Sequence, residues 1–97
     1  MAQFDIHRLG DALVLDCQSD LLGHIATRFV VPLVPKANAP TPVRRLNPVF
    51  AIEGEEHIML TESASAVRAK QLGAVVGSLA DRSFEITDAL DVLISGV

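Results

Sequence analysis

Two apolar segments joined by a polar hinge, running from Ala12 to Leu33, restrict this chain more than any other stretch, because the second of them carries a proline. In the first segment Leu13, Leu15 and Cys17 fall on one face of an extended chain, and Ala12, Val14 and Asp16 on the other. Phe29, Val31 and Leu33 alternate in the same way with Arg28, Val30 and Pro32, and the β-branched valines suit a pleated, half-buried surface. Both segments therefore read as strands at the centre of a β-sheet. Pro32 lacks the N–H that a ladder needs, so the strand Phe29 to Leu33 is expected at a sheet edge, at a bulge, or against a second copy of the chain. Between the strands, Ser19 and Asp20 form a turn that holds Leu21 and Leu22 at the surface with no core to enter.

The flanking sequence adds strands and one helix. Gln3 to Arg8 alternates Phe4 and Ile6 with polar residues, and Leu9-Gly10-Asp11 reverses it into Ala12, giving a first hairpin. The segment Pro35 to Pro42 is proline-rich and reads as an exposed loop ending at Arg44 and Arg45. Val49 to Glu53 and His57 to Thr61, turned at Gly54, predict a second hairpin, with Phe50 and Ile52 on one strand and Ile58 and Leu60 on the other facing the core. Ser63 to Leu72 is ambiguous, since its Ala, Arg, Lys and Gln favour helix while its apolar residues fit neither period. Toward the end, Ser83 or Thr87 is placed to cap a helix whose Phe84, Ile86, Leu90, Leu93, Ile94 and Val97 approximate an apolar stripe, with Gly96 as its stop. The sequence closes on an apolar residue with no polar tail, which calls for an explanation.

Composition narrows the chemistry. A chain of 97 residues with 49% hydrophobic content suits one compact domain spanning residues 1–97. A lone cysteine, Cys17, excludes an internal disulfide and suits a reducing, cytoplasmic setting, where packing is its expected role. No apolar run approaches the roughly 20 residues of a membrane span. With 8 basic against 12 acidic residues, no Trp and no Tyr, the chain offers neither a strongly basic surface nor a stacking platform, so direct nucleic-acid binding is not expected. His7, His24 and His57 lack the spacing of a metal site, and no metal or cofactor is expected. Ser19, Asp20 and His24 lack a nucleophile elbow and read as a turn cap, while Glu53, Glu55 and Glu56 read as a solvated hairpin tip. Arg44 and Arg45 are either a solvated loop end or a clamp for a phosphate or a partner's carboxylate.

Taken together, several segments resemble the CcdB family of gyrase-poisoning toxins. The resemblance runs through Met1 to Arg8, Leu15 to Leu22 with its Gln18-Ser19-Asp20, and Thr27 to Leu33 with its Val30-Val31-Pro32-Leu33. It continues through Pro48 to Ile52, Met59 to Glu62, Leu72-Gly73, Leu79 to Arg82 and Ile94-Ser95-Gly96-Val97, in the family's order. It implies a mainly β fold, an SH3-like barrel of antiparallel sheets with a C-terminal α-helix, shared with MazF-type toxins. It also implies that Ala64 to Leu72 is largely extended. By the same resemblance the protein is a non-enzymatic toxin of a type II toxin-antitoxin module. It would act as a cytoplasmic homodimer, bind the A subunit of DNA gyrase, trap the cleaved-DNA complex, and be neutralised by a CcdA-type antitoxin. The gyrase-contacting positions then fall on Leu21, Leu22, Asp91, Ile94, Ser95, Gly96 and Val97.

Two of these positions depart from the family's best-known member, where a tryptophan stands at the place of Ser95 and an amide at that of Asp91. The first removes an aromatic anchor of the kind that often dominates an interface. The second puts a carboxylate where a partner must supply a donor or a cation. Two other readings remain: a MazF-like ribonuclease, which would need a basic groove and a general acid or base, and a CcdB-like interaction module without toxicity.

Overall fold

A computed structural model of the chain describes residues 2–96. Seven strands form one antiparallel sheet that curls into a half-barrel, followed by a C-terminal helix. In chain order the strands are β1 (Asp5–Leu9), β2 (Ala12–Asp16), β3 (Thr27–Pro35), β4 (Val49–Ile52), β5 (Glu55–Met59), β6 (Ser65–Arg68) and β7 (Val75–Ser78), and the helix is α1 (Ser83–Ser95). Both expected hairpins are present. Gly10 and Asp11 join β1 to β2, and Glu53 and Gly54, with φ of 53° and 80°, join β4 to β5 in a turn whose positive φ at both central residues matches the twist of the strands.

Pro32 is not at an edge, and β3 is the most heavily paired strand of the sheet. Along one side it pairs β2, with Leu13 opposite Leu33 and Val14 opposite Pro32. Along the other side it pairs β6 through Thr27 to Val30, then β5 through Leu33 to Pro35. The Pro32 carbonyl accepts from the Leu60 N–H at 2.9 Å, so the side of Pro32 that lacks a donor faces the interval where one partner strand gives way to the next. A missing donor costs least there, and that is how a proline fits inside a central strand. The two sheets implied by the resemblance are thus two arms of one ladder that branches at β3.

Leu13, Leu15 and Cys17 line the core as their alternation predicts, with Ile6, Val31, Leu33, Phe50, Ile52 and Met59. The second hairpin differs by one residue from expectation. His57 and Met59 share the face of Phe50, whereas Ile58 lies opposite Val49 and Val34 on the other side of the sheet. That face is sealed as well: Val14, Val30 and Ile58 are buried beside His7, Asp16 and Arg28. Apolar character could not distinguish the faces because both are dry. Ser65 to Arg68 is extended and flanked by short 3-10 turns, so pairing with β3 overrides the helical propensity of this segment.

The helix covers the open end of the half-barrel. Ile86 and Ala89 are buried and Leu90 packs against the core cluster. Neither Ser83 nor Thr87 caps it: the 3-10 turn Ala80–Arg82 leads directly into α1, and the Thr87 hydroxyl donates back to the Ser83 carbonyl at 2.9 Å. Arg82 clamps Glu85 in the first turn, its Nη2 at 2.9 Å from Oε2, and its guanidinium lies 5.0 Å from the centroid of the Phe50 ring. Phe84, expected in the apolar stripe, points outward and is 90% exposed. Gly96 ends the helix as expected, in the left-handed conformation at φ 74°.

Candidate functional site

The hinge after β2 is held by a set of polar contacts, of which the Ser19–Asp20 turn alone is expected from the sequence. Asp16, fully buried, and Arg28, on the neighbouring β3, form an ion pair. Arg28 Nε donates to Asp16 Oδ2 at 2.9 Å, and Nη2 lies 2.7 Å from the same oxygen without the alignment of a hydrogen bond. Asp16 Oδ1 accepts from the Gln18 N–H at 3.1 Å, so both carboxylate oxygens are engaged. The hinge passes close above this pair: a Cβ at Gly23 would lie 3.9 Å from Arg28 Nη1.

Gln18 bridges the two ends of the loop. Its amide nitrogen donates to the Leu22 carbonyl at 2.9 Å while its amide oxygen accepts from the Phe29 N–H at 3.0 Å. Ser19 caps the 3-10 turn Asp20–Leu22 by accepting from the Leu21 N–H at 3.2 Å, as the turn reading of Ser19 and Asp20 predicts. Asp20 accepts from the Gln3 N–H at 2.8 Å, and Gln3 donates in turn to the Cys17 carbonyl at 3.1 Å. On this backbone Leu21 is 88% exposed, and Leu22 and Ile25 are also exposed. Ile25 carries no signal in the sequence; its N–H donates to the Leu22 carbonyl at 3.2 Å, which ties its backbone to the turn.

The second group of predicted residues lies on α1. Asp91 is exposed and its carboxylate has no hydrogen-bond or ion-pair partner among the described residues. Ile94 is 82% exposed, the Ser95 hydroxyl donates to the Asp91 carbonyl at 2.6 Å, and Gly96 caps the helix. Val97 lies outside the described residues. Leu21 and Leu22 on the one hand, and Asp91 to Gly96 on the other, belong to different elements, and no hydrogen bond or ion pair among the described residues joins them.

The titratable groups outside these patches are largely occupied. Arg45 forks onto Asp88 of α1, with Nε–Oδ2 at 3.0 Å and Nη2–Oδ1 at 2.7 Å, so a carboxylate does meet this arginine, but one from its own chain. That hydrogen bonding holds the Asp88 carboxyl below its usual range, and Arg82 does the same to Glu85. Arg8 approaches Glu53 at 3.7 Å and Lys36 approaches Glu56 at 3.5 Å. Burial, with Asp16 beside it, pushes the Cys17 thiol up to about 12, so it packs as a small apolar group. His7 and His57 are buried on different strands and His24 is exposed in the hinge, so the three do not converge.

A family model, described as CcdB protein, matches residues 3–96. The chain belongs to the CcdB family. No individual curated protein matches it. CcdB proteins are toxins of toxin-antitoxin modules that target gyrase without acting as enzymes, and the curled sheet with its terminal helix is the fold expected of a CcdB chain. Among the described residues no helix is long and apolar enough to cross a membrane.

Proposed function

We infer that this CcdB-family chain is a toxin domain that binds the A subunit of DNA gyrase and traps the complex of gyrase with cleaved DNA. It works in the cytoplasm as a two-fold homodimer and is neutralised by a CcdA-type antitoxin. The binding residues are Leu21 and Leu22 on the hinge and Asp91, Ile94, Ser95, Gly96 and Val97 at the end of α1. The observation that carries this reading is the exposure of Leu21 and Ile94 on backbone that is firmly held, by the Gln18 and Ser19 contacts in one case and by the helix in the other. Apolar side chains presented on fixed backbone are what a binding surface requires, since little order remains to be lost on association. A homodimer fits the further exposed apolar residues, Phe29, Val43 and Val75 among them. Catalysis on RNA finds less support: Arg8, Arg28, Lys36, Arg45 and Arg82 each face a carboxylate of their own chain, which leaves little positive surface for a phosphate backbone.

Purified protein incubated with gyrase, DNA and ATP tests the reading. The intact chain is expected to accumulate cleaved DNA and to bind isolated gyrase A subunit, and the chain lacking residues 95–97 is expected to do neither while melting at nearly the same temperature. Ser95 and Gly96 are exposed, so their loss empties no core. Cleavage of RNA, or undiminished gyrase poisoning by the shortened chain, would refute it.

A further inference from the structure

His57 occupies the core-facing row of β5, where apolar periodicity places Ile58, and its ring borders a cavity of about 530 Å³. The cavity opens between the β1–β2 turn, the end of β3 and the β4–β5 turn, and no residue of the hinge or of α1 lines it. Leu13, Leu33 and Ile52, all buried, supply its apolar wall. Its rim is charged: Asp11, Glu53 and Glu55 stand against a single cation, Arg8, which lies 3.7 Å from Glu53. With the imidazole neutral, two of the three carboxylates are left without a cation at the rim.

The ring itself is 5% exposed, and its backbone is fixed on both sides, opposite Phe50 on β4 and Pro35 on β3. Nδ1 lies 3.0 Å from the Glu55 carbonyl oxygen. A carbonyl can only accept, so Nδ1 carries the hydrogen, and in the neutral ring Nε2 presents a bare lone pair. The Glu55 carboxylate stands 3.9 Å from Nε2, beyond hydrogen-bond range and itself an acceptor. Two acceptors facing each other across that gap are satisfied together by one nitrogen bearing two or more hydrogens, set about 2.8 Å from each. A metal ion would need a third protein ligand, and among the described residues no three His, Cys, Asp or Glu side chains group closely enough to provide one.

We propose that this cavity binds a small organic cation, a protonated amine, amidine or guanidine that carries an apolar group. Its N–H donors bridge His57 Nε2 and the Glu55 carboxylate, and its apolar part rests on Leu13, Leu33 and Ile52. The site shares no residue with the proposed gyrase contacts and is independent of them. Small-molecule pockets commonly measure about 300–1,000 Å³, form at the mouths of β-barrels, and set a few convergent polar groups into an apolar wall, as this one does. The negative rim selects a positive ligand over an anionic one. A polar ring on a core-facing row, where an apolar side chain would fill the space, is the kind of local departure that marks a site.

The test is a titration of the nitrogen-15-labelled full-length protein with benzamidine, and with benzamide as its uncharged isostere, read from amide and imidazole resonances at about pH 8, above the ordinary imidazole range. Benzamidine should move the His57 Nε2 resonance and the amides of the β4–β5 turn to saturation, and benzamide should bind about tenfold more weakly or worse. Glu55→Gln removes the charge and should weaken benzamidine by about threefold or more, while His57→Phe should abolish its binding. Glu55 is exposed, so its variant should melt with the parent. Should His57→Phe not fold, Glu55→Gln and Asp11→Asn decide the matter, since both positions are exposed. The proposal is overturned by the absence of saturable shifts at millimolar benzamidine, by equal binding of benzamide, or by unchanged affinity in Glu55→Gln. A free protein whose His57 carries its hydrogen on Nε2 also overturns it.

Discussion

Replacing Arg28 by Met removes the positive half of an ion pair that is sealed on both sides, Arg28 being 2% exposed and Asp16 not exposed at all. Asp16 would keep a single donor, the Gln18 N–H at 3.1 Å, against a charge that water cannot reach. Breaking a buried pair in this way typically costs about 3–5 kcal/mol, a large part of the roughly 5–15 kcal/mol that holds a domain together. The double substitution Asp16→Leu with Arg28→Met removes both charges, and replacements of this kind are often neutral or stabilising. A double-mutant cycle is therefore expected to give a coupling of at least about 3 kcal/mol, with the single Arg28→Met variant the less stable of the two.

The assay is urea unfolding followed by far-UV circular dichroism, since the chain has no Trp or Tyr to report by fluorescence. Protein concentration must be matched throughout, because a dimer gains apparent stability with concentration. The double variant also loses the carboxylate that holds the Gln18 N–H, so it is expected to stay folded yet bind gyrase about tenfold more weakly. An Arg28→Met chain within about 1 kcal/mol of the parent would refute the reasoning, because it would mean that Asp16 regains water through a hinge that opens at little cost.

Cys17 should resist alkylation in the folded protein at pH 8, reacting only as fast as the chain opens, and rapid modification would contradict its sealed position. Its raised pKa also sets a sign: stability is intact below the ordinary thiol value of 9.0 and declines as pH rises toward about 12, where the unfolded thiol ionises and the folded one does not. Denaturation midpoints across that range measure the decline. Leu21→Asp should change stability in urea unfolding by no more than a surface substitution does, about 0.5 kcal/mol, and abolish gyrase binding; retained binding would remove the hinge from the proposed site. Gly54→Ala places a Cβ at φ 80° in the second hairpin turn and should cost about 1 kcal/mol in urea unfolding, without affecting gyrase binding.

How far the sequence could be read depended on how local the governing physics was. The turns at Gly10 and Gly54 and the core alternation of Leu13, Leu15 and Cys17 were legible because each is decided by residues adjacent in the chain. The place of Pro32 was not, since it depends on β5 and β6 dividing one side of β3 between them, a fact of pairing across long loops. The second hairpin was misread by one residue because His57 takes an inward position that apolar periodicity awards to Ile58. Phe84 was misassigned for the converse reason: an aromatic beside Ile86 looks like core, and only the position of the sheet under α1 decides which of them turns inward. Of the proposed site, Leu21 and Leu22 were visible as apolar residues in a turn, whereas the neighbouring exposed Ile25 and the Asp16–Arg28 support carried no local signal.

That support bears on the proposal that the hinge is a binding element. A loop that exposes Leu21, Leu22 and Ile25 in water gains nothing from burying them, so its conformation must be fixed by other means. Here the means are polar and distributed. Gln18 bonds the backbone at Leu22 and at Phe29, Ser19 bonds the turn, Asp20 is tied to Gln3, and Asp16 links Gln18 to Arg28 beneath. Each exposed bond contributes only about 0.5–1.5 kcal/mol, so no one of them explains the fold. Their collective effect is on the entropy of association. An ordered loop does not have to give up, when a partner arrives, the roughly 1–2 kcal/mol per residue that fixing a free backbone costs. Buried charge under the hinge, a weak source of stability in itself, is under the proposed function the means of holding these apolar side chains in place for a partner.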